Sequence, residues 1–339
     1  MARWRSGIPA ALTVVLAALP CPAVRLAPSL LFVPGRRPGC GWQNVSFVEG
    51  ASNTTHLVNF NEVPGLSRFK SQWNTFMGME RFKARLQRQP QKPTNVAVVV
   101  GVFSRAGCED VPFRQAIRSS WMTLPEVCAL TPAGPKPHCS LYVTFVVGQG
   151  GKADEDSSEP DLTVLPMEEN LNCGKTPAWF NFAATQYTWA THIVKMDMDA
   201  FPFVSSLLAS MRSFRNKCQN VFGGRPWPPV SPWETLQTGL KDLLAEEAAR
   251  SHRAEEPAWQ GQQVPGLQPG SWMQGGLFLL TPQLALNASA PGGWWVEESK
   301  KCRPEDLVAG LAIHNYGVNN NVCVAALKFR TLDQYWHKP

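Results

Sequence analysis

Two carboxylates stand one residue apart in Lys195-Met196-Asp197-Met198-Asp199, directly behind the apolar run Thr191–Met196. In an extended segment residues i and i+2 face the same side, so Asp197 and Asp199 are expected to converge. A carboxylate pair at the carboxyl edge of a strand suits Mn2+ or Mg2+. Both cations take oxygen ligands and keep positions open for substrate phosphates. In an open α/β sheet that edge is also where ligands bind.

Other candidates are weaker taken singly. Arg114 and Arg118 lie at i and i+4 of a helical pattern, and arginine pairs bidentately with phosphate, although such pairs are more often a solvated helix face. Lys175 follows Asn170-Leu171-Asn172-Cys173-Gly174 where a helix starts, and a helix N-terminus favours anions. Glu305 and Asp306 open a helix after Pro304. Acidic residues there ordinarily serve the helix dipole, but a carboxylate so placed can also take a proton from a hydroxyl.

The elements that must position these groups alternate along the chain. Buried-type strands are expected at Asn95–Phe103, Leu141–Val147, Leu162–Leu165, Thr191–Met196, Asn220–Gly223 and Gly276–Thr281. Helices are expected at Phe113–Trp121, Pro177–Ala190, Phe203–Lys217 and Pro304–Tyr316. This alternation predicts an α/β fold with a mainly parallel sheet flanked by helices. Residues 226–270 break the rhythm with Pro, Gln and Glu around one amphipathic stretch, Trp233–His252, and are expected to be an insertion. Residues 25–94 are turn-rich and read as a stem region, with a short helix from Ser67 to Arg88.

Ahead of the stem, Arg3 and Arg5 precede an uncharged, largely apolar segment ending near Val24. Residues 1–24 therefore read as a signal anchor or a cleaved signal peptide, and either places the remainder in the lumen of the secretory pathway. Sequons at Asn44, Asn53 and Asn287 agree, as do eight cysteines outside that segment, an even number compatible with four disulfides. Among 339 residues the net charge is +6 with no long basic run, so nucleic acid is not an indicated partner.

A strand followed by D-x-D also resembles the site of haloacid-dehalogenase-type phosphatases, but that motif usually opens its domain. The motifs in order resemble a different family: the β1,3-galactosyltransferases, β1,3-N-acetylglucosaminyltransferases and fringe proteins of glycosyltransferase family 31. Phe113–Trp121 is similar to its R-x-x-I-R-x-T-W segment and Glu169–Thr176 to N-L-T-x-K-T. Lys195–Phe201 resembles K-x-D-D-D-x-F, with Met198 in place of the central Asp. Met273–Thr281, with Gly275 and Gly276, resembles G-G-x-Y-x-x-S, and Glu305–Gly310 resembles E-D-V-x-x-G. The N-C-G-K-T and D-M-D variants look closest to the protozoan phosphoglycan β1,3-galactosyltransferase branch.

The resemblance implies a GT-A-type catalytic domain over 95–339, a Mn2+-bound UDP-sugar and inverting transfer of Gal or GlcNAc in β1,3 linkage. Its acceptor is a glycoprotein, glycolipid or phosphoglycan, and its setting is the Golgi membrane, in single-pass type II orientation. It assigns Asp199 and His337 to the metal, Arg114, Arg118, Lys175, Asp197, Gly275 and Gly276 to the donor, and Asp306 as base. His314 is a poorer metal candidate than His337. The alternative is a catalytically inactive glycan-binding protein of the same fold.

Overall fold

In the run Val98–Phe103 (β1) all six residues are buried, as a continuous apolar strand covered on both faces requires. A computed structural model describes residues 64–87, 96–131, 134–149, 159–227 and 272–337. The amphipathic segment read at Trp233–His252, the N-terminal segment 1–24 and most of the 25–94 stem lie outside these residues. Among the described residues no helix is long and apolar enough to cross a membrane.

Beside β1 stand β2 (Val127–Ala129), β3 (Leu141–Gln149), β4 (Leu162–Glu168) and β5 (His192–Asp197). The outer half of the sheet is β7 (Asn220–Trp227), β8 (Trp272–Leu280) and β9 (Val324–Lys328), while β6 (Phe201–Pro202) forms a separate two-stranded ladder with β10 (Tyr335–Trp336). The strand order is β2-β3-β1-β5-β8-β7-β9, with β4 also on β3. Only the β5–β8 and β8–β7 ladders of this sheet are antiparallel. The sheet is therefore mainly parallel, as expected. Because β8 runs against β5, its N-terminal half lies at the same edge as Asp197.

Residue alternation divides the core into two layers. Val98, Val100 and Val102 of β1 face one hydrophobic cluster, while Val99 and Phe103 face the other. The first layer is covered by α1 (Leu66–Leu86), α2 (Val111–Arg118) and α4 (Val204–Ser213); the second by α3 (Lys175–Gln186), α5 (Pro282–Ala288), α6 (Trp294–Ser299) and α7 (Glu305–Asn319). Gly101 lies under the indole of Trp179, where a Cβ would come within 2.4 Å of the ring. That close approach lets Trp179 Nε1 donate to Val194 O at 3.0 Å.

Helix α1 corrects the expected boundary. It falls in the 25–94 segment read as a stem, yet Leu66, Phe69, Trp73, Phe76 and Met77 are buried in the first layer. Their spacing of three and four residues sets them on one stripe, which packs on Phe201, Phe203 and Trp336. Glu80, also buried, accepts from Ser205 N at 2.9 Å in the first turn of α4. Truncating one such aromatic costs roughly 3–5 kcal/mol, so α1 belongs to the folded unit and a cut at residue 95 would remove part of its core.

Candidate active site

β5 delivers Lys195 and Asp197 to the second-layer face of the sheet, and Val194 and Met196 to the first. The extended geometry expected of Asp197 and Asp199 is not what brings them together. The strand ends on Asp197, and Ala200 N donates to Asp197 O at 3.0 Å, closing a turn that carries Asp199. Met198 packs against the first core layer. Met198 is thus held by the core, while Asp197 and Asp199 on either side of it are not part of that cluster.

A third group reaches them from β10. Tyr335 pairs with Pro202 and Trp336 with Phe201 in antiparallel register, so the next residue, His337, arrives beside the turn. Its Nε2 lies 3.3 Å from Asp199 Oδ1 and 3.6 Å from Asp197 Oδ2. One ligand atom from each of the three residues falls within 4.8 Å of the others. The imidazole beside Asp199 holds that carboxyl below its ordinary range. Gly276 is what admits the ring, because a Cβ there would sit 2.2 Å from His337 Cγ.

These residues fit a divalent cation. Two carboxylates and one imidazole are the donor types Mn2+ and Mg2+ accept, and the Asp199 side chain is 55% exposed, leaving an open side. His337 Nδ1 is buried without a hydrogen-bond partner, so the ring is held by packing, with Nε2 turned to the carboxylates. A second group, Cys128, His138 and Cys139, is also close together. Its cysteines form a disulfide and offer no thiolates.

Sequence reasoning passed over the group at the centre of the site. Lys195 is fully buried, and its ammonium pairs with Asp197 Oδ1 at 2.7 Å and donates to Gly275 O at 2.7 Å and to Glu305 Oε1. Burial works to lower its pKa, but the Asp197 and Glu305 carboxylates overcome this and hold it above the ordinary value. Glu305 also accepts from Thr176 Oγ1, and burial raises its carboxyl against the pull of Lys195. The only sequence signals were that Lys195 adjoins the D-M-D and that Glu305 opens a helix.

Asp306 is set by the same corner. Its Oδ2 accepts from Gly275 N at 3.1 Å and its Oδ1 from Leu307 N at 2.8 Å. The β7–β8 ladder slips here, with Gly224 opposite Phe278 but Pro226 opposite Met273. The irregularity frees Gln274, Gly275 and Gly276 from regular pairing, and such bulges re-aim groups beside sites. Arg225 occupies the break, with Nη1 3.4 Å from Gln274 Oε1 and the guanidinium over the Trp227 ring. Tyr335 donates to the same Gln274 oxygen at 3.2 Å. A disulfide between Cys173 and Cys302 staples the start of α3 to the segment leading into Glu305 and Asp306.

The three cations expected at the donor are placed otherwise. Arg114 is 2% exposed and donates to both Glu159 oxygens, to Ser104 Oγ and to Arg105 O. Arg118 is engaged by Glu159 and Asp161. Lys175 is fully buried, donating to Ser104 O and Glu169 Oε1, both at 2.7 Å. The reason is elementary: desolvated cations need carboxylates, and the segment around β4 supplies them. These side chains shape the strand-edge framework, with Arg114 and Lys175 buried against Glu159 and Glu169. Asp197, Asp199, His337, Asp306, Gly275 and Gly276, in contrast, are brought together.

No family model matches the chain, and no curated protein matches it. Among solved structures it is similar to mouse xyloside xylosyltransferase 1 in its apo form, at 12% identity over 73% of this chain and 98% of that one, with a TM-score of 0.36. It is similar also to the inositol-1-phosphate CTP transferase from T. maritima, at 12% identity, 73% and 91% coverage and a TM-score of 0.34. A third, the bifunctional glycosyltransferase WbbM in apo form, shows 11% identity, 70% and 40% coverage and a TM-score of 0.29. At these values the similarity assigns no function.

Proposed function

We propose that this chain is a metal-dependent glycosyltransferase of GT-A type. It transfers Gal or GlcNAc from a UDP donor to a glycoconjugate hydroxyl, with inversion and in β1,3 linkage. The observation that carries the reading is the meeting of Asp197, Asp199 and His337 at the carboxyl edge of β5, beside a helix start that presents Asp306. Two carboxylates and an imidazole beside a separate, backbone-anchored carboxylate are what diphosphate activation and hydroxyl deprotonation each require.

In this reading Asp199 and His337 hold Mn2+ or Mg2+, and Asp197 faces both the cation and the donor. When bound, the ion neutralises charge on the departing diphosphate. Asp306 takes the proton from the acceptor hydroxyl as the new bond forms, and its two backbone hydrogen bonds fix the direction of that carboxylate. Gly275 and Gly276 keep that corner free of side chains of their own, which lets His337 and Asp306 close on the donor from either side. Arg225 keeps a guanidinium beside Gln274 and Tyr335, where it can meet the phosphates or an acceptor hydroxyl. Arg114, Arg118 and Lys175 contribute by holding the strand-edge framework.

The setting is proposed as the lumen of the Golgi, with the N-terminal segment as membrane anchor. The disulfides Cys128–Cys139, Cys173–Cys302 and Cys218–Cys323 support an oxidising compartment, as do the sequons. The test is product analysis. Incubation with UDP-Gal or UDP-GlcNAc, Mn2+ and a panel of glycan acceptors should yield one product whose NMR spectrum shows a β1,3 linkage. A different linkage, or retention of configuration, refutes the assignment. Binding of acceptor glycans without turnover would instead support the non-catalytic alternative.

A further inference from the structure

We propose that Lys195 is a positioning residue that sets the metal-facing carboxylate and the base-bearing corner relative to each other. The inference rests on the functional reading above. The Lys195 ammonium engages three separate elements. It pairs with Asp197 Oδ1 at the end of β5 and donates to Gly275 O in β8 and to Glu305 Oε1 at the start of α7. The side chain is fully buried, so Lys195 does not bind substrate. Gly275 passes the constraint on, since its N–H donates to Asp306 Oδ2 at 3.1 Å. Glu305 passes it to α3 through Thr176 Oγ1.

Two carboxylates flank this one ammonium, and that distinguishes positioning from simple neutralisation. Had Lys195 only to offset the buried Glu305, removing both charges together would leave the site working. If instead it aims Asp197 and Gly275, the double neutral change restores the fold but not the geometry. A rotation of Asp197 alters the cation site, and a shift of Gly275 alters Asp306. One substitution therefore disturbs two functions that lie on different elements.

The experiment compares wild type, Lys195→Met and Lys195→Met/Glu305→Gln in the full chain, by thermal melting, by Mn2+ binding in EPR titration, and by transfer kinetics. The double variant is expected to melt close to wild type, to raise the Mn2+ Kd at least about fivefold and to lower kcat at least about thirtyfold. A folded double variant with Mn2+ Kd and kcat within twofold of wild type overturns the assignment. Should the double variant not fold, Glu305→Met alone decides. It leaves Lys195 no acceptor on α7, so kcat should fall about tenfold with the Mn2+ Kd unchanged, and unaltered kcat overturns the proposal. Wild-type chain lacking Mn2+-dependent transfer refutes the functional reading itself, a separate outcome.

Discussion

His337 Nε2 stands 3.3 Å from Asp199 Oδ1, although one residue follows the two-stranded ladder and the other sits in the turn that ends β5 of the main sheet. The β6–β10 pair creates the meeting: Trp336 opposite Phe201 leaves His337 level with the turn that ends β5. A two-stranded ladder of buried and half-buried residues therefore sets the nitrogen of the proposed cation site. Trp336 packs on Phe76 and Trp73 of α1, which ties the position of His337 to the first core layer.

Replacing Asp199 removes a proposed ligand whose side chain is 55% exposed, so little packing is lost with it. Asp199→Ala is expected to keep the wild-type melting temperature within a few degrees, to weaken Mn2+ binding in EPR by at least about tenfold and to abolish UDP release. Undiminished Mn2+ binding by this variant removes Asp199 from the site.

A methyl group at Gly276 tests the imidazole without touching it. Its Cβ would lie 2.2 Å from His337 Cγ, so Gly276→Ala must displace the ring or the strand. The expected result is weaker Mn2+ binding with the disulfides and most of the thermal stability retained. Mn2+ binding equal to wild type shows that His337 is not a ligand.

Much of this arrangement was legible from the chain. The apolar run Val98–Phe103 is, as expected, a strand covered on both faces, and the D-M-D, G-G and E-D segments lie together at one corner of the sheet. What was not legible depends on pairing between distant segments. The short strands β2, β9 and β10 have too few residues for a periodic signal, and the helices α5 and α6 are brief. Arg114 and Lys175 carried the right charge for a phosphate, but their buried carboxylate partners Glu159 and Glu169 sit in segments that show no pattern in sequence. Helix α1 was placed outside the catalytic unit because prolines and polar residues surround it. Its aromatic stripe was the signal that outweighed them.

Asp306 has both oxygens fixed by backbone N–H groups, so an amide keeps its shape but gives up one of the two acceptors and the charge. Asp306→Asn is expected to lower transfer by about 10²- to 10⁴-fold, the usual contribution of a positioned base, while UDP and Mn2+ still bind. Measuring kcat beside UDP affinity by calorimetry checks this, and a fully active variant rules out Asp306 as base.

Acid should loosen the framework only as pH falls into and below the ordinary carboxylate range. Burial raises the Glu159 carboxyl, but Arg114 and Arg118 more than offset this and hold it below its ordinary value. A lowered folded pKa means that the stabilisation is complete above the unfolded value, about 4.3, and is lost as pH falls through the folded one. Wild type should therefore lose melting temperature steeply between about pH 5 and 3. Glu159→Gln should melt lower at pH 7 but show a flatter acid limb, and parallel curves for the two proteins would contradict the linkage.

The most direct test of the whole account is UDP release by the purified chain across a panel of UDP-sugars, each with an acceptor mixture, in Mn2+ and in EDTA. The account predicts release from UDP-Gal or UDP-GlcNAc in Mn2+, none in EDTA, and none from Asp199→Ala. Release that persists in EDTA, or a chain that binds neither Mn2+ nor UDP, contradicts it.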